Sequence, residues 1–167
     1  MHRLLAFIHR HEPHGPALGH MKSAIGAIIA MTLVGGIAAW TGLPMLLAPF
    51  GATAVLLFGQ PDSPLSQPAN LFGGYLTAAI VSVAVLSVLP PVWWAATIAV
   101  GLVIGAMLLL RVTHPPAGAV PLVAFSTHMP PEILFFVVIG GALCLVGVAV
   151  IHHWIPPRVV YPRRIGE

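Results

Sequence analysis

A short polar segment in the second half of the chain is broken by two prolines and lies between two apolar runs. It contains Thr113, His114, Pro115 and Pro116. Each proline removes a backbone donor and disfavours helix at the residue before it. Backbone broken at membrane depth is tolerated only where protein buries it or a watery cavity lines it. The segment therefore indicates a site, with a histidine and a threonine as possible donors.

A similar segment stands earlier in the chain. Pro49-Phe50-Gly51-Ala52 and Pro116-Ala117-Gly118-Ala119 share the pattern Pro-x-Gly-Ala. Small residues allow a ligand to approach the backbone closely. If Gly51 and Gly118 open short helices, the free N–H groups and helix dipoles would attract an anion. The alternative is that these small residues only allow close helix packing.

Two facing half-helices would form a cradle for a small anion, to which nearby side chains could add donors. The candidate substrate-binding residues are Pro49, Phe50, Gly51, Ala52, Thr53, Thr113, His114, Pro115, Pro116, Gly118 and Ala119.

Two side chains beside the second motif each have two interpretations. His114 could carry a proton, since an unperturbed imidazole titrates near neutral pH, or it could only brace a carbonyl freed by the prolines. Arg111 could attract anions electrostatically, or it could anchor the end of an apolar run at the interface. No catalytic residues are indicated, because the chain has neither paired carboxylates nor a nucleophile beside a base. We expect a protein that is not an enzyme.

The composition identifies an integral membrane protein. Of the 167 residues, 58% are hydrophobic and only 7% are charged, whereas soluble domains carry about 25% charged residues. Between residues 23 and 157 the only formal charges are Asp62, Arg111 and Glu132. The basic residues gather at the two termini, as membrane topology would place them, so nucleic acid is not an expected partner. The partners expected instead are the lipid bilayer and a small anion.

Four apolar segments approach the roughly 20 residues that cross a bilayer as helix. They are residues 24–41, 71–89, 92–110 and 133–151. Residues 45–59 and 118–127 are apolar but short, and both begin beside prolines. The sequence predicts an all-α polytopic protein, and leaves open whether the short segments are re-entrant or cross, giving four or six crossings.

Basic residues set the expected orientation through the positive-inside rule. Six of the seven Lys and Arg residues lie at the two ends: Arg3, Arg10, Lys22, Arg158, Arg163 and Arg164. We expect both termini to be cytoplasmic and the membrane to be the inner (plasma) membrane. The expected organisation is a basic, His-rich N-terminus (1–22), a transmembrane domain (23–155) and a basic tail (156–167).

A shift of 67 positions aligns residues 43–90 with residues 110–157. Twelve positions match, among them Pro49 with Pro116, Gly51 with Gly118, and Gly73-Gly74 with Gly140-Gly141. Duplicated halves are frequent in transporters, with the binding site where broken helices meet. We therefore expect two related halves, about 24–90 and 91–157, each built as span, broken short segment and span. With three crossings per half, the halves would be inverted.

The motifs resemble those of the HPP family of membrane proteins. The resemblance rests on residues 48–59 (APFGATAVLLFG), residues 61–68 (PDSPLSQP), Asn70, Gly73, Gly74, and residues 114–119 (HPPAGA). It covers about residues 23 to 155. The family is usually described with four transmembrane segments, and plastid and cyanobacterial members are associated with nitrite transport. The resemblance therefore implies nitrite as the anion.

Other features suggest less specific roles. The N-terminal histidines have no accompanying cysteine or carboxylate pattern, so neither a metal site nor a cofactor is expected. Gly101 and Gly105 form a GxxxG face, which predicts packing within the monomer or in a homo-oligomer; a homo-oligomer is expected. His152-His153 is interpreted as a membrane boundary. The function expected is a channel or transporter for a small monovalent anion, and the alternatives are a non-transporting scaffold or a channel for a small neutral solute.

Overall fold

Prolines and left-handed residues set the ends of the helices. A computed structural model describes residue 9 and residues 15–163 of the chain. Within these residues six α-helices follow one another: α1 Ala17–Thr41, α2 Ala48–Ala54, α3 Pro68–Leu86, α4 Trp93–Leu110, α5 Val120–Thr127 and α6 Pro131–Trp154. A π-helix, Val55–Gly59, continues α2, and 3-10 turns occupy Pro64–Ser66 and Pro115–Ala119. Within the described residues there is no strand, and the all-α prediction is confirmed.

Four helices, α1, α3, α4 and α6, are long and apolar enough to cross a membrane. The ends at residues 41 and 110 match the predicted spans, and the other bounds differ by one to seven residues. Two of the starts differ because proline is tolerated in the first turn of a helix. Thus α3 and α6 begin at Pro68 and Pro131. Helix α1 begins at Ala17, directly after Pro16, and ends at Thr41, before Gly42, whose φ of 71° is left-handed. Residues 1–8 and 10–14, with most of the N-terminal histidines, lie outside the described residues.

The chain runs six times between the two ends of the bundle. Lys22, near the start of α1, donates to the carbonyls of Ile155 and Pro157, beyond the end of α6. We call this the terminal end of the bundle. In the first broken pass, Phe50 lies against Gly141 in the middle of α6, while Phe58 lies against Gly26 at the terminal end. Residues 42–47 therefore start at the far end of α1 and turn back along the bundle. Residues 48–59 continue in that direction to the terminal end.

The second broken pass runs in the opposite direction. His114 lies beside Gly74 and hydrogen-bonds to the Leu65 carbonyl, near the terminal end. Phe125, at the other end of this pass, is buried in a cluster with Val85 and Ala96. Two broken passes thus run along the bundle in opposite directions, beside four helices that are long and apolar enough to cross a membrane. Arg111, which precedes the second broken pass, lies on the same side as both described ends of the chain.

The core is formed where the broken passes pack on α3 and α6. Its largest fully buried side chains include Phe50, Leu57, Tyr75 and Leu145. Phe50 fits against Gly141 so closely that a Cβ added to this glycine would overlap the ring. The absence of a side chain at Gly141 is therefore a packing requirement of the first broken pass.

We expect Gly141→Ala to destabilise the protein, because the new methyl group must displace the buried Phe50 ring. Overpacking of this kind costs about 1–3 kcal/mol. The measurement is the thermal unfolding midpoint of purified protein in detergent. Gly140→Ala is the matched control, since the Cβ added there would meet only the end of Met45, at 3.7 Å. Equal midpoints for the two variants would contradict the packing argument.

Candidate functional site

The two Pro-x-Gly-Ala motifs meet in the structure. Helix α2 packs against the 3-10 turn Pro115–Ala119, and between them lies a cavity of about 410 Å³ that we call the proline groove. The groove is lined by Ala48, Pro49, Ala52, Leu56, Pro115, Pro116 and Ala119. Five of the predicted site residues therefore share one surface, which is apolar.

The two glycines of the motifs do not begin the short helices, and that expectation was wrong. Helix α2 begins at Ala48 and the 3-10 turn begins at Pro115, because proline is compatible with the first turn. Gly51 and Gly118 lie three residues later. A Cβ added at either position would meet nothing within 4 Å. Close packing does not account for these two glycines within the monomer.

The remaining predicted residues face elsewhere. Phe50, Thr53 and His114 are fully buried in the core. Thr113 is half-buried, and its carbonyl accepts a hydrogen bond from Asn70 at 3.0 Å. Arg111 is exposed and ends α4 with a left-handed φ of 59°.

Thr53 and His114 belong to a buried hydrogen-bond chain that links the two broken passes. Thr53 Oγ1 lies 2.7 Å from Tyr75 Oη and 2.9 Å from His114 Nε2. His114 Nδ1 lies 2.9 Å from the Leu65 carbonyl oxygen. A carbonyl only accepts, so Nδ1 donates, and a neutral ring then accepts at Nε2 from Thr53. The Thr53 hydrogen is thereby used, and Tyr75 must donate to Thr53.

In this order every polar atom of the hydrogen-bond chain has a partner while the His114 imidazole is neutral. A second proton on His114 would place a hydrogen on Nε2, so that Thr53 would have to donate to Tyr75 and the Tyr75 hydrogen would lose its acceptor. The ring is also enclosed, with the Tyr75 ring centroid 5.2 Å away. Of the two interpretations of His114, the geometry favours the brace, since its ring supports the Leu65 carbonyl.

The Gly73-Gly74 pair allows this arrangement. A Cβ added to Gly74 would lie 2.7 Å from His114 Cβ, and one added to Gly73 would lie 2.7 Å from Val112. Helix α3 can therefore approach the residues before the second motif only without side chains at these positions.

A second polar cluster lies at the terminal end, where the sequence suggested only a membrane boundary. His152 and His153 are 8% and 2% exposed. Both rings contact Phe58, with centroids 5.2 and 6.1 Å away. His153 Nε2 donates to the Leu57 carbonyl at 2.8 Å, near the end of the π-helix. Within the described part of the chain, no group of three His, Cys, Asp or Glu residues is placed to hold a metal ion.

Sequence reasoning missed Tyr75 and Leu65, which complete the buried chain. Leu65 takes part only through its carbonyl, which leaves no signal in the sequence. Tyr75 stood in a predicted span, and a hydroxyl buried there requires a partner. That requirement was the one available signal, although it does not identify Thr53.

The loop before α3 is a structural connection whose polar side chains bind its own backbone. Gln67 Nε2 donates to the carbonyls of Pro61 and Ser63, and Ser63 Oγ accepts from the Leu65 amide. These bonds hold the Leu65 carbonyl where His114 reaches it.

Residues 12–162 match the family described as HPP, transmembrane region. The chain belongs to this family. The match extends over the whole bundle, including both Pro-x-Gly-Ala motifs and the His152-His153 pair, and it confirms the resemblance drawn from the motifs.

Two relatives from Dictyostelium discoideum are similar to this HPP protein. One transmembrane protein is 36% identical over 107 residues, covering 62% of this chain and 34% of the relative. Another is 31% identical over 128 residues, covering 72% of this chain and 45% of the relative. The chain thus spans less than half of the length of either. No solved structure matches it.

Replacing Thr53 by Val should destabilise the HPP protein more than replacing Tyr75 by Phe. Valine leaves both the Tyr75 hydroxyl and His114 Nε2 without partners, and a buried unpaired polar group costs about 1–3 kcal/mol. Phenylalanine removes a donor and leaves Thr53 still bonded to His114, for about 1 kcal/mol. Thermal unfolding in detergent measures both.

The control for this comparison is Thr97→Val, because Thr97 is exposed and bonds only to the Trp94 carbonyl of its own helix. A Thr53→Val midpoint equal to that of Thr97→Val would show that the buried chain does not stabilise the fold.

Proposed function

We propose that this HPP protein is a channel or transporter for a small monovalent anion, with nitrite as the first candidate. The observation that carries the proposal is that residues of both broken motifs line the proline groove. Broken passes that meet inside a bundle are the usual position of a transport site. Nitrite as the cargo rests on the family resemblance.

The electrostatics of the groove are compatible with weak binding. Ala48, where α2 begins, lies in the lining, and backbone amides at a helix start carry partial positive charge. No charged side chain lines the groove. A site that binds too tightly does not conduct, so partial charges without a fixed cation are suited to rapid release.

Inverted, related halves are part of this proposal, and several contacts support them. Phe58 packs on His152, while Phe125 shares a cluster with Val85. The shift of 67 positions takes Phe58 to Phe125 and Val85 to His152. The two contacts therefore correspond under the repeat, with each half contributing the other member of the pair. Likewise, Gly141 lies against the first motif, at Phe50, and Gly74 lies against the second, at His114.

A homo-oligomer is also part of the proposal. Gly101 and Gly105 in α4 point away from the bundle, because a Cβ added at either would meet nothing within 4 Å. The GxxxG face therefore does not pack within the monomer, and a second copy of the chain could pack against it.

The purely apolar lining favours one other cargo, a small neutral solute, which would need no charged partner. The comparison of nitrite, nitrate, formate and chloride flux with the flux of a neutral solute of similar size in liposomes distinguishes the two cargoes. A protein that moves none of them would be a scaffold.

Gly118→Leu should abolish anion flux through proteoliposomes while leaving the protein inserted. Gly118 lies in the chain between the lining residues Pro116 and Ala119, and the space around it is open. We therefore expect a leucine side chain here to narrow the groove without unfolding the core. Gly36→Leu is the matched control, since it adds the same side chain to an equally open position on α1. Normal flux in Gly118→Leu would contradict a pathway along the groove.

Both termini should be cytoplasmic. Lys22, Arg158 and Arg163, the described basic residues of the two termini, lie at one end of the bundle, and basic segments remain on the cytoplasmic side. A C-terminal reporter that is active only outside the cytoplasm should give no signal in cells that make the full chain. A strong signal would reverse the orientation while keeping the six passes.

A further inference from the structure

A cavity at the terminal end of the bundle is lined by both a cation and an anion. It measures about 290 Å³, and we call it the terminal cavity. Its lining includes Lys22, near the start of α1, and Asp62, in the loop before α3. Liquid water occupies about 30 Å³ per molecule, so the terminal cavity has room for a ligand group of several heavy atoms.

Each of the two charged groups retains capacity for a ligand. Lys22 Nζ donates to the carbonyls of Ile155 and Pro157, at 2.6 Å each. An ammonium has three hydrogens, so one remains. Asp62 is exposed, and its backbone carbonyl accepts from Arg163. Within the described residues its carboxylate forms neither a hydrogen bond nor a salt bridge. The terminal cavity therefore matches a ligand that carries one anionic and one cationic group.

An apolar groove continues from the terminal cavity towards the middle of the bundle. It lies between α1 and the first broken pass, measures about 430 Å³, and shares Ser23, Phe58 and Gly59 with the cavity. We call it the lateral groove. Its lining on α1 extends from Ser23 to Met31, which is roughly 12 Å at the rise of an α-helix. The hydrocarbon of one leaflet is about 15 Å thick, so the lateral groove has the length to hold most of an acyl chain.

The lateral groove lies on the surface of the bundle and is not filled by the protein itself. Ile28 and Val55, in its lining, are 64% and 65% exposed, and α1 is the least buried of the four long helices. Gly51 and Gly59 also line the groove, and a Cβ added at either would meet nothing within 4 Å. Small residues therefore keep this apolar surface open to a lipid chain.

We propose that the terminal cavity and the lateral groove together bind one phospholipid with a phosphoethanolamine headgroup. The phosphate accepts from Lys22, the primary ammonium donates to Asp62, and one acyl chain lies in the lateral groove. An anionic headgroup without an amine would bring its charge beside Asp62 with nothing to offset the repulsion. A quaternary ammonium has no N–H, so it would leave the Asp62 carboxylate without a hydrogen bond. The order of the parts, charges at the terminal end and apolar surface beyond, is that of a lipid in one leaflet.

This site is separate from the proline groove, and the inference holds even if the proline groove conducts nothing. The experiment is native mass spectrometry of the purified full chain, titrated with phosphatidylethanolamine, phosphatidylcholine and phosphatidylglycerol of identical acyl chains. For the wild type we expect one tightly bound phosphatidylethanolamine, with an affinity about ten-fold above that of the other two lipids, as for one charge-assisted hydrogen bond. Equal binding of the three lipids, or a preference for phosphatidylglycerol, would overturn the proposal.

Asp62→Asn is the decisive variant, because it removes the anion from an exposed carboxylate that supports no described contact. We expect the affinity for phosphatidylethanolamine to fall about ten-fold, while the affinity for phosphatidylglycerol does not fall. The control is Glu132→Gln, which neutralises a carboxylate in the first turn of α6, at the opposite end of the bundle. A preference for phosphatidylethanolamine that persists in Asp62→Asn would show that this carboxylate does not bind the headgroup.

A second variant tests the acyl chain. Gly59 lies where the terminal cavity meets the lateral groove, and the space around it is open. Gly59→Leu should fill this junction and lower the affinity for phosphatidylethanolamine at least ten-fold. Gly147→Leu is the matched control, since it adds the same side chain to an equally open position on α6. Wild-type affinity in folded Gly59→Leu protein would contradict the lateral groove as the binding site, and if this variant fails to fold, Asp62→Asn decides.

Discussion

Backbone carbonyls freed by the broken passes impose the main constraint on this fold. A bilayer offers no water to a carbonyl without a partner, and the prolines, 3-10 turns and loops leave several of them. Side chains from distant parts of the sequence bind these carbonyls. The pairs are His114 with Leu65, Asn70 with Thr113, His153 with Leu57, Tyr161 with Ser66, and Lys22 with Ile155 and Pro157. The polar residues of this apolar chain are thus mostly occupied in supporting its backbone.

This use of polar side chains explains the character of the two candidate sites. Thr53 and His114, which the motifs offered as ligand donors, bind one another in the core, and the groove beside them retains only apolar side chains and backbone. At the terminal end the arrangement is incomplete, because one nitrogen of His153 remains without a partner. Within the described residues, the buried side-chain nitrogen that lacks a hydrogen bond therefore lies at the terminal end, and the side chains of the groove are apolar.

Proline and glycine positions made much of the architecture predictable. The four long helices and both broken segments follow from apolar length and from Pro49, Pro115 and Pro116, since proline acts locally on the backbone. Helix starts were less predictable, because proline also fits a first turn, as at Pro68. The partners of His114 and the burial of His152-His153 could not be predicted, because a hydrogen bond between residues far apart depends on how the passes stack.

The packing of Phe50 against Gly141 also constrains how the protein is made. A translocating ribosome releases the first broken pass long before α6 exists, and this pass is too short and too interrupted to be retained in lipid by hydrophobicity alone. Its ring lies against α6, which is synthesised after the four described helices α2 to α5. The second pass along the sequence must therefore reach its final depth after the sixth, so the order of membrane assembly differs from the order of synthesis.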